Sequence, residues 1–244
     1  MVAFGIGVGL SLKGAQAGGG AALWTPEDLT VGPQVWWDAK DASTITESGG
    51  LISQWDDKSG NGNDATAIVG EEPTYATTHV HFDGSNRMMS FTSRLFDTLH
   101  AVIFAEWDDT TGDNRVILGD SGTNNWHGDS AASGNLFSAA FGAATFVNGT
   151  HHINGTLTLG ALARYTSLTS HVLRPDGAVT TGQIGRDRGF AARTMKGKIF
   201  EVLLFDYDLT QDEREKLEGY GMHRHGAASS LYVGHPYRDA PPTV

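Results

Sequence analysis

Short apolar runs, many of them alternating with polar residues, follow one another along most of this chain, broken by clusters of Gly, Asp, Asn and Ser. Such runs predict strands, because successive side chains of a strand point to opposite faces. Val35-Trp36-Trp37-Asp38-Ala39 and Leu51-Ile52-Ser53-Gln54-Trp55 are the first two in the body of the chain. Asp41-Ala42-Ser43-Thr44 and Ser48-Gly49-Gly50 supply turn chemistry between them. Further strands are expected at 64–69, 79–83, 87–92, 99–107, 114–119, 135–140, 157–164, 170–174, 181–186 and 198–206. The last is mostly apolar, as for a strand buried on both faces. One helix is predicted near 210–225: Thr210 and Glu213 match a capping box, Leu217, Tyr220 and Gly221 share a face, and Gly226 follows as a stop. The tail 227–244, ending near Pro241-Pro242, shows no regular pattern. Many short strands and one helix predict an all-β sandwich or barrel.

Residues 1–22 are patterned differently. Ile6, Val8, Leu10 and Leu12 alternate with Gly5, Gly7, Gly9 and Ser11, giving an extended segment with one apolar face and one nearly bare face. Alternate glycines argue against a helix. Ala15-Gln16-Ala17 mimics a signal-peptide cleavage site, but no basic residue precedes the apolar run and Lys13 follows it, so export is the minor reading. A strand this bare holds itself down poorly, and a foreign sheet edge would suit it. The expected organisation is therefore a Gly-rich arm at 1–22, for docking between subunits, and one body at 23–244. A plain flexible tail is the alternative.

Composition narrows the function. The formal charge of −11 argues against wholesale neutralisation of nucleic-acid phosphates. No Cys is present, which removes disulfides, thiolate zinc sites and Cys nucleophiles. No apolar run reaches the roughly 18 residues of a membrane span. Gly numbers 32 of 244 without a G-X-Y repeat, which fits a turn-rich β protein.

Five ordered motifs carry a family resemblance. Trp36-Trp37-Asp38-Ala39-Lys40-Asp41-Ala42-Ser43-Thr44-Ile45 resembles the W-x-D-A-x-D-A-S-T-I start of bacterial and phage laminin-G-like (concanavalin A-like) domains. Trp55-Asp56-Asp57-Lys58-Ser59-Gly60-Asn61-Gly62-Asn63-Asp64-Ala65 is similar to their W-x-D-K-S-G-N-G-N-D-A loop. His81-Phe82-Asp83-Gly84-Ser85-Asn86 resembles a strand end of theirs, and Gly197–Asp206 with Leu209–Arg214 resembles their last strand and helix. Glu218-Gly219-Tyr220 and His235-Pro236-Tyr237 through Pro242 resemble their tail, although Arg224-His225-Gly226 stands where the family has Lys-Trp-Gly. The resemblance spans about 34–242 and is weakest across 107–180. It implies a two-sheet antiparallel jelly roll with first and last strands adjacent, of a kind found in tailed-phage virion proteins. The fold alone does not fix function.

Candidate sites are weighed residue by residue. Glycosidases of this architecture set two Glu and an Asp on one strand face, whereas Glu106-Trp107-Asp108 has no second Glu and offers no acid/nucleophile pair. No Gly-x-Ser-x-Gly and no phosphate loop occur. Asp56, Asp57, Asn61 and Asp64 offer hard oxygen ligands for a structural calcium, but such residues more often cap turns. No other cofactor is required. His79 and His81 share a strand face and could ligate a metal on a three-fold axis; two half-exposed histidines are the plainer reading. A sugar needs an aromatic platform with amide and charged partners, and Trp107, Asp109, Asn114, Arg115, Asn125, Trp126 and His127 supply those types. Against this, Trp126 suits a core plug.

The expected function is a non-enzymatic phage virion structural protein, from tail fibre, tail tip or head decoration, localised to the particle and assembled in the host cytoplasm. Its expected partners are neighbouring virion subunits through the arm and host-surface polysaccharide or protein through the body. A homo-oligomer, with a trimer as one form, is expected, and neither nucleic acid nor membrane. A secreted carbohydrate-binding lectin is the alternative, with a glycoside hydrolase behind it.

Overall fold

The structure, a computed structural model, describes residues 21–111, 114–129, 134–138 and 143–244. The arm residues Ile6, Val8, Leu10 and Leu12 lie outside them. Among the described residues, fourteen strands form one large, curled antiparallel sheet. They are β1 (Val35–Asp38), β2 (Ile45–Ser48), β3 (Leu51–Trp55), β4 (Ala65–Thr66), β5 (Thr74–Tyr75), β6 (Val80–Asp83), β7 (Met89–Thr98), β8 (His100–Trp107), β9 (Leu118–Gly119), β10 (Thr150–Ile153), β11 (Thr156–Leu159), β12 (Thr169–Arg174), β13 (Val179–Ile184) and β14 (Lys196–Phe205). The described residues include two α-helices, the single-turn α1 (Ala144–Val147) and α2 (Gln211–Arg224). Strand order is β11-β10-β12-β8-β14-β6-β5-β3-β4-β7-β13-β9, with β1 also on β14 and β2 on β3. The all-β expectation holds.

The sheet curls around one core that draws on both ends of that order. Trp37 of β1 meets Phe91 of β7 with ring centroids 4.6 Å apart, and Trp55 of β3 at 6.2 Å. On β8, Ala101, Ile103, Ala105 and Trp107 join this core, while Val102 and Phe104 face outward into a second cluster. Both faces of β8 are therefore covered, which explains its continuous apolar run. Strand β14 does the same with an irregularity: Ile199 pairs with Ala105 but Glu201 with Phe104, so Phe200 is an extra residue. The bulge switches the inward positions from Ile199 to Val202 and Leu204, and sends Leu203 and Phe205 to the outer cluster.

Helix α2 covers that outer cluster with Leu217 and Met222. Its capping box forms as the sequence predicts: Glu213 N–H donates to Thr210 Oγ1 at 3.3 Å, and Thr210 N–H donates to Glu213 Oε2 at 2.8 Å. Two glycines let it fit. A Cβ on Gly221 would collide with the Phe104 ring, and one on Gly219 with Tyr237 of the tail. Each glycine costs helix propensity, roughly 1 kcal/mol against Ala, and close packing on two sides offsets it. The tail then runs back to the start of the body. Trp24 N–H donates to Pro242 O and Val244 N–H to Ala22 O, both at 3.0 Å.

Several expected strands need correction. Only Ala65–Thr66 pairs within 64–69, and only Leu118–Gly119 within 114–119. Asn135 makes a single bridge to Ala163, and 139–140 lie outside the described residues. Strand β7 runs on to Thr98, and β10 carries His151 and His152 on opposite faces, one buried and one half-exposed.

Two predictions follow from this packing. Gly221→Ala should lower stability by about 1–3 kcal/mol through overpacking, whereas Gly32→Ala, with open space around it, should not; thermal unfolding of both reads the difference. The second concerns acid. Burial pushes His171 down to about 4, and neither ring nitrogen has a hydrogen-bond partner among the described residues. Burial likewise pushes His100 down to about 4, despite the Tyr207 carbonyl. Both imidazoles stay neutral in the fold while the unfolded chain takes up protons near 6.5, so stability should be level above that pH and fall between it and about 4. His171→Leu should flatten part of this slope in denaturant titrations across that range.

Candidate functional site

Residues 71, 84–86, 94, 114–129 and 185–196, distant in sequence, are bonded to one another. Arg115 Nη1 donates to Gly84 O at 2.6 Å and to Thr194 O at 3.3 Å. Asn114, in the left-handed region at φ 55°, donates its N–H to Asp129 O at 2.7 Å. Arg186 reaches Glu71 and the carbonyl of Asn86. Asp120 accepts a fork from Arg94 at 2.7 and 2.6 Å and caps Gly122 and Thr123. The Arg115–Thr194 bond, with Gly185 N–H to Ile117 O at 2.9 Å and Arg188 N–H to Asp120 O at 3.1 Å, sets residues 114–129 against 185–196.

The expected sugar platform is corrected here. Trp107 and Trp126 are each 1 % exposed and belong to the core. Trp126 lies tilted against Phe146, ring centroids 4.4 Å apart, and donates Nε1–H to Thr181 Oγ1 at 3.0 Å. A large ring with one polar tip is well accommodated inside when that tip finds an acceptor, so no face of it remains for a ligand. Asn125 Oδ1 accepts from Thr123 Oγ1 and Thr180 N–H, fixing the loop beneath. Asp109 pairs with Lys196 at 2.6 Å, and that bond holds its carboxyl below the usual carboxylate range.

His127 lines a cleft. Asn124, His127, Arg188, Phe190 and Arg193 enclose about 190 Å³. Beneath it lies Asp187, whose side chain is 1 % exposed. Its Oδ2 sits 2.7 Å from His127 Nδ1 and 3.3 Å from Arg193 Nη1, while Arg188 grips both oxygens through Nε and Nη2 at 3.0 and 2.8 Å. Burial pushes the Asp187 carboxyl up, but the Arg188 and His127 bonds outweigh it and hold it below the ordinary value. One ionised carboxylate thus faces two guanidiniums. Phe190 stands at the mouth, 48 % exposed, with the Arg188 and Arg193 guanidinium carbons 5.0 and 4.3 Å from its ring centroid. Sequence reasoning passed over these residues. The signal was Arg186-Asp187-Arg188-Gly189-Phe190 with Arg193, a dense cationic run in a charge-poor chain.

The Asp-rich loop takes the turn role. Asp57 accepts from the N–H groups of Trp36, Ser59 and Asn63 at 2.9–3.0 Å. Asp64 Oδ1 accepts from Asp57 N–H at 2.8 Å, and Asp56 Oδ1 from Gln54 Nε2 at 2.7 Å. Asn61 Nδ2 donates to Pro33 O at 3.1 Å. Gly60 and Gly62, at φ 84° and 73°, allow the reversals. The loop therefore fastens β1 to β3. Among the described residues no group of three or more His, Cys, Asp or Glu is placed to hold a metal ion.

Glu106 and Asp108 point along the sheet's outer face into a charged ladder. Lys198 Nζ reaches Glu106 at 2.6 Å, and His81 Nε2 reaches Asp108 at 2.9 Å. His79 instead lies against Phe200, with ring centroids 5.2 Å apart.

Asp187 should organise the cleft. Asp187→Asn leaves two guanidiniums crowded around a neutral amide, and we expect a loss of about 3 kcal/mol in urea unfolding, with faster amide exchange across 185–195. A loss under about 1 kcal/mol, the range of exposed pairs, would remove it from that role.

Compared with protein-family models, curated proteins and solved structures, the chain finds no match.

Proposed function

We propose that this chain is a non-enzymatic structural subunit of a tailed-phage particle. In this reading residues 1–22 dock on neighbouring subunits, and the body, a laminin-G-like two-sheet jelly roll, faces outward to meet host-surface glycan or protein. The observation that carries it is the root of the arm. Residues 22–24 are fastened to 242–244 by backbone hydrogen bonds and a bridge between Leu23 and Thr243. The point from which residues 1–20 leave the body is thereby part of the packed structure, beside residues 242–244.

Three further features support the reading. The glycine–aliphatic alternation of 5–12 suits strand addition to a foreign edge, where main-chain bonds supply affinity. Strand β11 ends the sheet order with Leu157 and Leu159 exposed, an edge of the kind that accepts another strand. The Phe190 cleft gives the body an outward contact, and a subunit repeated many times needs only weak contacts at each copy. That same cleft favours the second reading, a carbohydrate-binding lectin working without the arm.

Deletion of residues 1–20 separates the two. The shortened chain should unfold at the same temperature as the full chain yet be missing from purified particles. Normal incorporation of the shortened chain would overturn the structural reading and leave the lectin.

A further inference from the structure

We propose that the cleft over Asp187 binds a carboxylate-bearing sugar, as in a uronate or sialate unit of an acidic polysaccharide. This rests on the glycan-facing half of the proposed function and gives it a substrate class and named residues.

Charge and donors point to an anion. Arg188 is committed to Asp187 through a two-bond fork. Arg193 is not: only Nη1 reaches Asp187, at 3.3 Å, and also approaches His127 Nδ1 at 3.5 Å. Its Nε and Nη2 hold no hydrogen bond among the described residues, and its side chain is 27 % exposed. A guanidinium offers five N–H donors in a planar fork that matches a carboxylate. With one buried carboxylate against two guanidiniums, the cleft is locally cationic on a chain of net −11.

The aromatic ring points to a sugar rather than a bare anion. Phe190 is half exposed at the mouth and held by both guanidiniums, so its ring is oriented before any ligand arrives. A pyranose offers an apolar C–H face to such a ring. A uronate also carries its carboxylate on the ring carbon next to that face, and so engages Phe190 and Arg193 together. The volume of about 190 Å³ is below the roughly 300–1,000 Å³ of drug-sized pockets and suits a single sugar unit. The acidic body works against highly charged polymers, since its long-range field repels them. That favours a singly charged sugar unit over a sulfated chain.

The test uses the full chain, immobilised, with pentamers of galacturonate, mannuronate and sialate, their methyl esters, a size-matched dextran sulfate, and neutral dextran and mannan. At least one acidic pentamer should bind, with its ester at least tenfold weaker. Arg193→Gln and Phe190→Ala should each weaken that binding at least tenfold, while Glu47→Gln, on the exposed strand β2, leaves it unchanged; thermal unfolding checks that each variant is folded. Binding by ester and acid alike, equal or tighter binding of dextran sulfate, or binding untouched by both cleft variants overturns the assignment. If neutral dextran or mannan binds the wild type and both variants equally, the cleft assignment fails while the glycan-facing role stands. Silence toward every polysaccharide removes both.

Discussion

The rest of the structure depends on the bulge in β14. This strand pairs with β8 along its length, with β6 through Lys196–Ile199 and with β1 through Glu201–Leu204. A regular ten-residue strand would present one set of alternate residues to the core throughout. The extra residue at Phe200 exchanges the faces midway. Before it, Lys196 and Lys198 lie in the charged ladder; after it, Glu201, Leu203 and Phe205 face helix α2. One strand thus serves a polar outer surface at one end and an apolar helix seat at the other.

Buried carboxylates then fix how the helix and the tail sit. Glu201, fully buried, accepts from Trp36 Nε1 at 2.6 Å and bonds His225 Nε2 at 2.8 Å. Asp38, also buried, is held by Lys58 and Arg224. Glu218 of the helix accepts from Gly155 N–H at 2.8 Å and from Arg214. Ion pairs of this kind add little net stability over apolar packing, because desolvation opposes the Coulomb gain. Their effect is geometric: each links the helix region to a different strand or turn, and a slipped helix would leave charges unpaired. Asp187 has the same part beneath the cleft.

Local signals made much of the fold readable. Strands β1, β3, β8, β12 and β14 carry dense apolar runs, and α2 carries a capping box and a stop glycine. The short strands were harder. Thr150-His151-His152-Ile153 has no pattern of its own and pairs because β12 lies beside it. The site was the least legible part. Trp107 and Trp126 have the composition of a sugar platform, but alternation along a strand does not say which residues the curled sheet will enclose. The cleft that does open draws on residues 124–127 and 187–193, which are brought together by long-range bonds such as His127 to Asp187 and Arg188 N–H to Asp120 O. Turn chemistry is the intermediate case: Asp57 and Asp64 bond backbone N–H groups of their own loop, a preference intrinsic to Asp and Asn.

The fastening of residues 22–24 to 242–244 sets where anything joined to the body must leave it. A reporter or affinity handle fused behind Val244 would emerge beside Ala22. A handle placed in the Gly49-Gly50 reversal between β2 and β3 instead enters at an exposed turn of its own. Because the two ends of the body lie together, they could be joined and the chain reopened there, giving a rearranged body without its leading segment tethered at the usual place.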